Sequence, residues 1–430
     1  MARQPPLNVE AYRQLARRAL PRSVFDYLEG GAGDERGLQH NRDALDAVRL
    51  RPRRLRDVAV RDSGVRLFDR TLPAPLAIGP TGFNALFWPE GDLALARAAA
   101  AHGIPFVLST VANTDIETLA RATDGEWWFQ LYALHDEISE QLMRRARAAG
   151  CRTLMVTVDV PVNGLRERDV RNGFRLPLRY TLPMAIDGLR HPRWTMRYLR
   201  HGMPALANFE ALDASGDAVR TALTERRMDA GFSWESLTRL RAAWPHRLLV
   251  KGILHPDDAL RCESLGIDGV ILSNHGARQL DGAMSPIEAL PAARNATTLP
   301  LLVDSGFRRG TDIVKAIALG ASAVLLGRAT LYGLAAAGET GVRDVLAMLK
   351  REIDCTLAQV GCARMCDLSP DVLAPSPASD GHPANAAPTG LPTVAMRTRH
   401  ADAVASYSSP SPAPAENAGP PQTTLTTTTT

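Results

Sequence analysis

The segment SNHGARQLD, residues 273–281, places His275 and Arg278 directly after an apolar run. Histidine has an ordinary pKa close to neutral pH, so His275 is a candidate general base. Asp159 could orient its imidazole, and Arg166 and Arg278 could each hold a carboxylate through two hydrogen bonds. These residue types predict acid–base chemistry on a carboxylic acid, although a lone histidine is more often structural. The polar side chains expected to brace this loop are Asn274, Gln279 and Asp281.

A second set of residues could hold a phosphate. The segments DSGFRRGTD (304–312) and GRATLYG (327–333) combine glycine with arginine before a predicted helix. Backbone N–H groups at a helix start, together with guanidinium groups, form a phosphate site. Surface ion pairs are the alternative for these arginines. The residues expected to hold the phosphate are Gly306, Arg308, Gly327 and Arg328.

Two further features bear on the cofactor. Lys251 ends an apolar run, where an ammonium group requires an electron-rich partner. A Schiff-base lysine and a counter-charge to an anionic cofactor are both open interpretations. The stretch GGAGDERG (30–37) resembles a nucleotide-binding loop, but it follows no predicted strand, which excludes a Rossmann interpretation.

Short apolar runs must position these residues. Their length and lack of alternation are typical of parallel strands buried on both faces, and helical patterns separate most of them. The order predicts an α/β protein with a closed (β/α)8 TIM barrel, with a doubly wound sheet as the alternative. A long insertion, about 161–246, follows the fourth run. The runs are 75–80, 105–110, 127–132, 153–159, 247–252, 269–274, 301–306 and 323–328.

Polar residues gather at the ends of these predicted strands. In a barrel all strand ends meet on one face, where the active site lies. Taken singly, each polar residue could be a helix cap or a turn residue, but this explanation is poor for all of them together. The residues expected to line one pocket are Thr81, Gly82, Ser109, Gln130, Tyr132, Thr157, Asp159, Lys251, Ser273 and Asp304.

Composition limits the remaining possibilities. The chain has 430 residues, of which 45% are hydrophobic, and a net charge of +4 that is too small to indicate a nucleic-acid partner. Residues 367–430 are rich in Pro, Ala, Ser and Thr and are predicted to be a disordered tail, which leaves 1–366 as the barrel domain. The five cysteines lack the spacing of a disulfide framework or metal site, and we expect reduced thiols and no metal.

The assembled residues resemble the FMN-dependent 2-hydroxy acid dehydrogenase/oxidase family. SNHGARQ is that family's active-site signature, and the resemblance spans residues 8–370 through FDYLEGGAGDE, WFQLY, TVDVPVNGLRERD, LLVKG and DSGFRRGTDIVKA. NGLRERD and HPRW are similar to the branch that acts on (S)-mandelate. The resemblance implies FMN-dependent oxidation of an (S)-2-hydroxy acid, first of all (S)-mandelate, to the 2-oxo acid. A membrane quinone or a similar acceptor would take the electrons.

The resemblance also implies a role for each matched residue. His275 would take the substrate's proton with Asp159 as its partner, and Tyr132 would contact the reacting oxygens. Lys251 would neutralise the negative charge of reduced FMN, which disfavours a Schiff base. The side chains that would hold the carboxylate are Tyr27, Arg166 and Arg278. The side chains that would hold the isoalloxazine and ribityl chain are Thr81, Ser109, Gln130, Thr157 and Ser273.

Two positions depart from the oxidase members of the family. Val111 stands where glycolate oxidases have Trp, which predicts a pocket open to an aromatic or bulky substrate. Gly82 stands where oxidases commonly have Ala, which favours an acceptor other than oxygen. The alternative activity is a soluble 2-hydroxy acid oxidase that produces hydrogen peroxide. An isomerase-type FMN barrel and a non-catalytic, phosphate-binding barrel are disfavoured by the intact set of site residues.

The insertion carries its own signal. Residues 175–203 combine arginines with Leu, Met, Tyr and Trp, a composition typical of a segment that lies on a membrane surface. A lid over the active site is the alternative, and the two can coexist. The resemblance places an anchoring segment at about 177–203, which implies peripheral attachment to the cytoplasmic side of the inner membrane. It also implies a homotetramer.

Overall fold

A closed barrel of eight parallel strands forms the centre of the fold. The computed structural model describes residues 5–134, 136–174, 182–210 and 228–375. The predicted (β/α)8 barrel is therefore confirmed, and the doubly wound alternative is wrong. The barrel strands are β1 (Leu76–Thr81), β2 (Phe106–Ser109), β3 (Trp127–Tyr132), β4 (Thr153–Thr157), β5 (Arg247–Ile253), β6 (Gly269–Leu272), β7 (Leu301–Val303) and β8 (Ala323–Leu326).

The strands pair in chain order, and β8 closes the barrel by pairing Val324 with Leu76 of β1. Apolar side chains bury the strands on both faces, which is why the sequence shows no alternation. The register shifts between Ile78 and Thr81 where β1 meets β2. It shifts again near Lys251 where β5 meets β6. Such irregularities re-aim side chains, and both lie beside predicted site residues.

Helices precede the barrel and alternate with its first strands. The N-terminal helices are α1 (Val9–Ala19), α2 (Arg22–Glu29) and α3 (Arg36–Ala47), followed by a short antiparallel hairpin of Val65–Leu67 and Arg70–Leu72. The helices after β1, β2 and β3 are α4 (Gly91–Ala101), α5 (Ile116–Ala122) and α6 (Asp136–Ala148). A 3-10 turn, Asn84–Leu86, lies in the loop between β1 and α4.

The predicted insertion after the fourth strand is confirmed, because β4 ends at Thr157 and β5 begins at Arg247. Within it the Trp194 indole N–H donates to the carbonyl of Leu86, with 2.7 Å between the heavy atoms. This bond ties the insertion to the loop after β1. Residues 175–181, at the start of the predicted membrane segment, lie outside the described residues. The described insertion helices are α7 (Glu167–Arg171), α8 (Leu182–Arg190), α9 (Pro192–His201), α10 (Ala207–Glu210) and α11 (Trp234–Ala243).

The second half of the barrel ends in a long helix that bends at Ala337 and Gly338. Beyond it Val372 and Leu373 are buried, so the packed chain continues past residue 366. The rest of the predicted tail, 376–430, lies outside the described residues. No helix among the described residues is long and apolar enough to span a bilayer. The remaining helices are α12 (Pro256–Ser264), α13 (Pro286–Ala296), α14 (Gly310–Ala318), α15 (Arg328–Val360) and the 3-10 turns Met365–Asp367 and Pro370–Val372.

Candidate active site

A cavity of about 1380 Å³, counted to its open mouth, lies at the C-terminal ends of the strands. Ser109, Asp159 and Ser273 do not line it and lie one contact behind its wall. The predicted residues that do line it are Tyr27, Thr81, Gly82, Val111, Gln130, Tyr132, Thr157, Arg166, Lys251, His275, Arg278, Asp304, Gly306, Arg308, Gly327 and Arg328.

His275 is fixed from two sides. Its Nδ1 lies 2.8 Å from Asp159 Oδ1, and its backbone N–H donates to Ser273 Oγ at 3.0 Å. His275, Gly276 and Ala277 all have positive φ angles, a conformation that costs energy for a non-glycine residue and often occurs at functional sites. Because Asp159 occupies Nδ1, Nε2 is the ring nitrogen available to a substrate.

The polar residues of the same loop brace it against neighbouring segments, as predicted. Each accepts or donates a side-chain hydrogen bond across a large sequence separation, so the strained loop is held from several directions. The three bonds, each 2.7 Å long, join Asn274 Nδ2 to Asn41 Oδ1, the Gly164 N–H to Gln279 Oε1, and the Gly37 N–H to Asp281 Oδ1.

Lys251 lies in a buried cluster of charged groups. Its Nζ donates to Ser273 Oγ at 2.7 Å and lies 3.1 Å from Asp304 Oδ2 and 3.6 Å from Asp159 Oδ2. Burial disfavours the ammonium form, but the two carboxylates outweigh burial and raise the pKa of Lys251 above its usual range. Burial opposes ionisation of Asp159 too, yet His275 and Lys251 lower the pKa of Asp159 to about 2. The lysine is therefore charged at neutral pH, which is unfavourable for a Schiff-base nucleophile.

Two arginines converge on one aromatic ring. The guanidinium carbons of Arg278 and Arg166 lie 5.2 Å and 5.5 Å from the centre of the Tyr27 ring. Arg278 Nη1 donates to the carbonyls of Tyr27 and Gly30, and Arg166 Nε forms an ion pair with Asp169 at 2.7 Å. Burial, followed by the positive charge of Arg166, lowers the pKa of Arg278 to about 9. This cationic pair favours an anion such as a carboxylate.

Aromatic residues that were not predicted from the sequence lie beside Tyr27. Phe83 and Phe87 line the cavity, and both rings lie about 6 Å from the Tyr27 ring. Phe174 stacks on Tyr27 with a centroid distance of 4.5 Å. The stretch GFNALFW after β1 carries the sequence signal, because a loop that leaves a barrel strand would normally be polar. The carboxylate site is therefore continuous with an apolar wall.

Gly82 and Val111 face each other on this wall. A Cβ atom added at Gly82 would lie 2.4 Å from Val111 Cγ2 and 3.1 Å from the Val111 carbonyl oxygen. Two non-bonded carbon atoms do not approach each other to 2.4 Å, so Val111 would have to move. The absence of a side chain at Gly82 is therefore required by the position of Val111, and the two residues set the width of the cavity together.

Gln130 organises the wall behind the centre of the barrel. Its Oε1 accepts from Ser109 Oγ and its Nε2 donates to Thr157 Oγ1, both at 3.0 Å. Ser109 Oγ also accepts from the backbone N–H of Val111 at 3.3 Å, so Ser109 acts on the cavity through Gln130 and Val111. By contrast, Thr81 Oγ1 is buried and has no hydrogen-bond partner among the described residues. A buried hydroxyl of this kind requires a polar ligand.

The predicted phosphate site contains the expected glycines and arginines, with additional acidic partners. Arg328 Nη2 donates to the carbonyls of Gly276 and Gly30. Arg308 Nη2 donates to the Tyr332 hydroxyl at 3.1 Å, and that hydroxyl donates to Glu29 Oε2 at 2.9 Å. Glu29 and Tyr332 were not predicted. They hold one edge of the Arg308 guanidinium beside the cavity.

A family model described as FMN-dependent dehydrogenase matches residues 16–375. The chain belongs to this family. It is 56% identical over 366 residues to an (S)-mandelate dehydrogenase of Pseudomonas putida, across 85% of this chain and 93% of that protein. It is 41% identical over 369 residues to an L-lactate dehydrogenase of Pseudomonas aeruginosa strain LESB58, across 84% of this chain and 96% of that protein.

Solved structures of this family share the fold. The structure of the monotopic membrane protein (S)-mandelate dehydrogenase superimposes with a TM-score of 0.84 at 56% identity, covering 86% of this chain and 100% of that one. A mandelate oxidase bound to (S)-2-phenylpropionate superimposes with a TM-score of 0.72 at 38% identity, covering 86% and 98%. The family resemblance seen in the sequence is therefore confirmed, and the chain is an FMN-dependent oxidoreductase of (S)-2-hydroxy acids.

The residues of this FMN-dependent dehydrogenase fit its cofactor. Thr81 offers an unpartnered buried hydroxyl, and Lys251 offers a buried positive charge elsewhere in the lining of the same cavity. Arg308 and Arg328 supply cationic groups for a phosphate near the helix that begins after Gly327. Among the described residues no cluster of His, Cys, Asp or Glu could hold a metal ion.

Proposed function

We propose that the protein oxidises (S)-mandelate to benzoylformate and passes the electrons to a membrane quinone or similar acceptor. One observation carries the choice of substrate. The arginine pair at Tyr27 is continuous with an apolar aromatic wall in the cavity that contains His275. A substrate with a carboxylate next to a phenyl ring matches this arrangement. The 56% identity to an (S)-mandelate dehydrogenase supports the same choice.

The cofactor half of the cavity would hold FMN, which accepts the substrate's two electrons when it is bound. Thr81, Gln130 and Thr157 would bind the ring and ribityl chain, while Ser109 and Ser273 would act indirectly by orienting Gln130 and Lys251. Asp304 would hold Lys251 in place. The groups that would bind the phosphate are Gly306, Arg308, Gly327 and Arg328.

His275 would remove a proton from the substrate through Nε2. Its Nδ1 lies 2.8 Å from Asp159 Oδ1, so that carboxylate would hold the imidazole with Nε2 turned toward the substrate. Lys251 lies 3.6 Å from Asp159 Oδ2 and would keep the carboxylate in place.

The roles of the other substrate-binding residues are proposed from where they lie in the cavity. Arg166 and Arg278 would bind the carboxylate, with Tyr27 between them and the apolar wall. Tyr132 would contact the reacting oxygens, because its ring lies 6.4 Å from the His275 ring and lines the same cavity. Val111 would face the phenyl group.

The test is anaerobic bleaching of the bound flavin. We expect (S)-mandelate to bleach the yellow holoenzyme quickly, with (R)-mandelate inactive and glycolate at least 100-fold slower. Steady-state turnover with a quinone or dye should exceed turnover with oxygen. Equal turnover of glycolate together with stoichiometric hydrogen peroxide would instead establish the alternative oxidase, which the similarity to a mandelate oxidase keeps in consideration.

We also propose that the insertion attaches the protein peripherally to the cytoplasmic side of the inner membrane through about 177–203, and that the enzyme is a homotetramer. Apolar side chains on α8 and α9 are exposed, led by Leu189 at 78% and Leu199 at 74%. Arginines flank them, as in segments that bind anionic membranes. Light scattering should give four times the chain mass of 46.5 kDa.

A further inference from the structure

A second cavity, of about 1100 Å³ counted to its open mouth, lies between the loop after β1 and helix α9 of the insertion. Trp88, Trp194 and Tyr198 supply aromatic lining, and Leu86 and Leu93 supply aliphatic lining. The Trp194 and Tyr198 rings stack with centroids 5.0 Å apart. We call this cavity the insertion groove. None of the roles assigned above uses it.

The insertion groove shares a wall with the active-site cavity. Phe87 lines both cavities, and its ring lies 6.4 Å from the Tyr27 ring at an angle of 25°. Phe87 is therefore common to the lining of the groove and the lining of the catalytic cavity near Tyr27. A molecule in the groove would lie beside the substrate end of the catalytic cavity without competing with the substrate for space.

The groove also adjoins the exposed apolar face of the insertion. Met203 lines the groove and is itself 37% exposed. Met196 and Leu199, on the same helix as the groove residues Arg197 and Tyr198, are exposed to solvent. A lipophilic molecule that partitions into a membrane could therefore enter the groove from the surface that we propose contacts the lipid.

The polar groups of the groove suit a planar molecule with carbonyl oxygens. The guanidinium carbon of Arg197 lies 3.7 Å from the Trp88 ring centre, so a flat cation already covers an aromatic face. Arg197 and the exposed His201 both carry N–H donors. Aromatic rings would stack on the ligand, and these donors would hold its oxygens.

We infer that the insertion groove binds a lipophilic quinone, the electron acceptor in the function proposed above, on which this inference depends. In the net reaction the 2-hydroxy acid loses two electrons and two protons and becomes the 2-oxo acid. The quinone gains these two electrons, for which bound FMN would be the carrier, and two protons from solvent at the mouth of the groove. It leaves as the quinol.

The test uses the holoenzyme, decylubiquinone as the lipophilic acceptor and ferricyanide as a hydrophilic one. Ala205 lines the groove and is exposed, so Ala205→Trp should fill the groove. Leu260→Trp adds the same side chain at a 51% exposed leucine of α12 that does not line the groove, and it is the matched control. We expect Ala205→Trp to lower turnover with decylubiquinone at least tenfold while ferricyanide turnover and anaerobic bleaching by (S)-mandelate stay within twofold. Leu260→Trp should leave all three within twofold.

Binding of decylubiquinone to the groove can also be measured directly, without turnover. Decylubiquinone should quench the tryptophan fluorescence saturably, because Trp88 and Trp194 line the groove, and Ala205→Trp should abolish the saturable part. Thr118→Met fills the groove from α5 and should also lower decylubiquinone turnover and the saturable quenching. Because this substitution is on a different element, the test does not depend on correct folding of Ala205→Trp alone.

Other outcomes contradict the inference. Unchanged decylubiquinone turnover in both filling variants, or an equal loss with ferricyanide, would exclude the groove as the acceptor site. If quinone-free phosphatidylglycerol vesicles quench equally and Ala205→Trp reduces vesicle binding, the groove holds a lipid chain instead. Failure of (S)-mandelate to bleach the wild-type flavin would refute the proposed function itself, whereas bleaching without an effect of groove filling would refute only the groove.

Discussion

Individual contacts at the substrate end of the cavity decide which side chains the enzyme tolerates. Gly82 has no Cβ because Val111 occupies that space, at 2.4 Å from where the atom would lie. In the sequence, Gly82 and Val111 stand out as two separate departures from the oxidases. The structure shows that they are one steric unit, a relation that needs the distance between two neighbouring loops and is therefore invisible in the sequence.

We expect Gly82→Ala to destabilise the protein by about 1–3 kcal/mol, the usual cost of overpacking, because Val111 must move. The double variant Gly82→Ala/Val111→Ala should recover most of this loss. Thermal unfolding of the two variants and of Val111→Ala alone provides the comparison. Additive effects of the two substitutions would show that Gly82 and Val111 do not interact.

The role in catalysis that we propose for Asp159 and its contribution to stability in acid can be tested with one substitution. We expect Asp159→Asn to lower kcat about 10²–10⁴-fold, since His275 loses the carboxylate that holds its imidazole in position. The pKa of Asp159 is lowered to about 2, so its ionised form stabilises the fold above about pH 4. This contribution is lost as the pH falls through about 2.

Urea unfolding at pH 7 and pH 3 measures this acid dependence. Wild type should lose more stability on acidification than Asp159→Asn. Asp257→Asn is the matched control because the Asp257 side chain is 85% exposed, and it should behave like wild type. An Asp159→Asn variant that keeps wild-type kcat would remove Asp159 from the mechanism.

At the scale of elements, the strands were the most predictable part of the molecule. Each is a short apolar run that ends on the same face of the barrel, and most of the polar residues at these ends line the cavity. The side chains one contact behind the wall were less predictable. Ser109 and Ser273 sit at strand ends like Thr81, but their hydroxyls are bonded to Gln130 and Lys251. Whether a hydroxyl meets a ligand or a neighbouring side chain depends on rotamers that sequence does not specify.

The insertion supplies a prediction of its own. We expect Leu189→Asp/Leu199→Asp to move the protein from the membrane fraction to the soluble fraction, because both side chains belong to the exposed apolar face of α8 and α9. The control is Leu260→Asp, which changes a leucine that is 51% exposed on the barrel helix α12. Turnover with ferricyanide should persist in both. Membrane association that survives the double substitution would exclude this face as the anchor.

At the scale of the whole molecule, binding of the cofactor should raise the free energy of unfolding. Free FMN at 100 times its Kd should stabilise the apoprotein by about 2.7 kcal/mol. Riboflavin lacks the phosphate and should stabilise less. In Arg308→Ala the advantage of FMN over riboflavin should shrink, since Arg308 lines the phosphate end of the cavity. Equal thermal shifts with FMN and riboflavin in wild type would show that this end binds no phosphate.

The family's barrel, cofactor and substrate class were all accessible from sequence, because the motif residues recur at the strand ends. The N-terminal segment was less accessible. The carbonyls of Leu28 and Gly30 accept from Arg328, and Gly30 also accepts from Arg278. Backbone acceptors carry no residue-type signal, and the glycines of this segment suggested a nucleotide loop instead. Only the folded chain shows that it closes one side of the cavity.

The shared wall at Phe87 has a kinetic consequence. With separate compartments, reoxidation of the enzyme need not wait for the 2-oxo acid to depart. Acceptor and product could occupy the protein at the same moment, so an excess of benzoylformate would lower the maximal rate without competing against the quinone. Two chambers joined by one phenyl ring would thus uncouple the two half-reactions in time as well as in space.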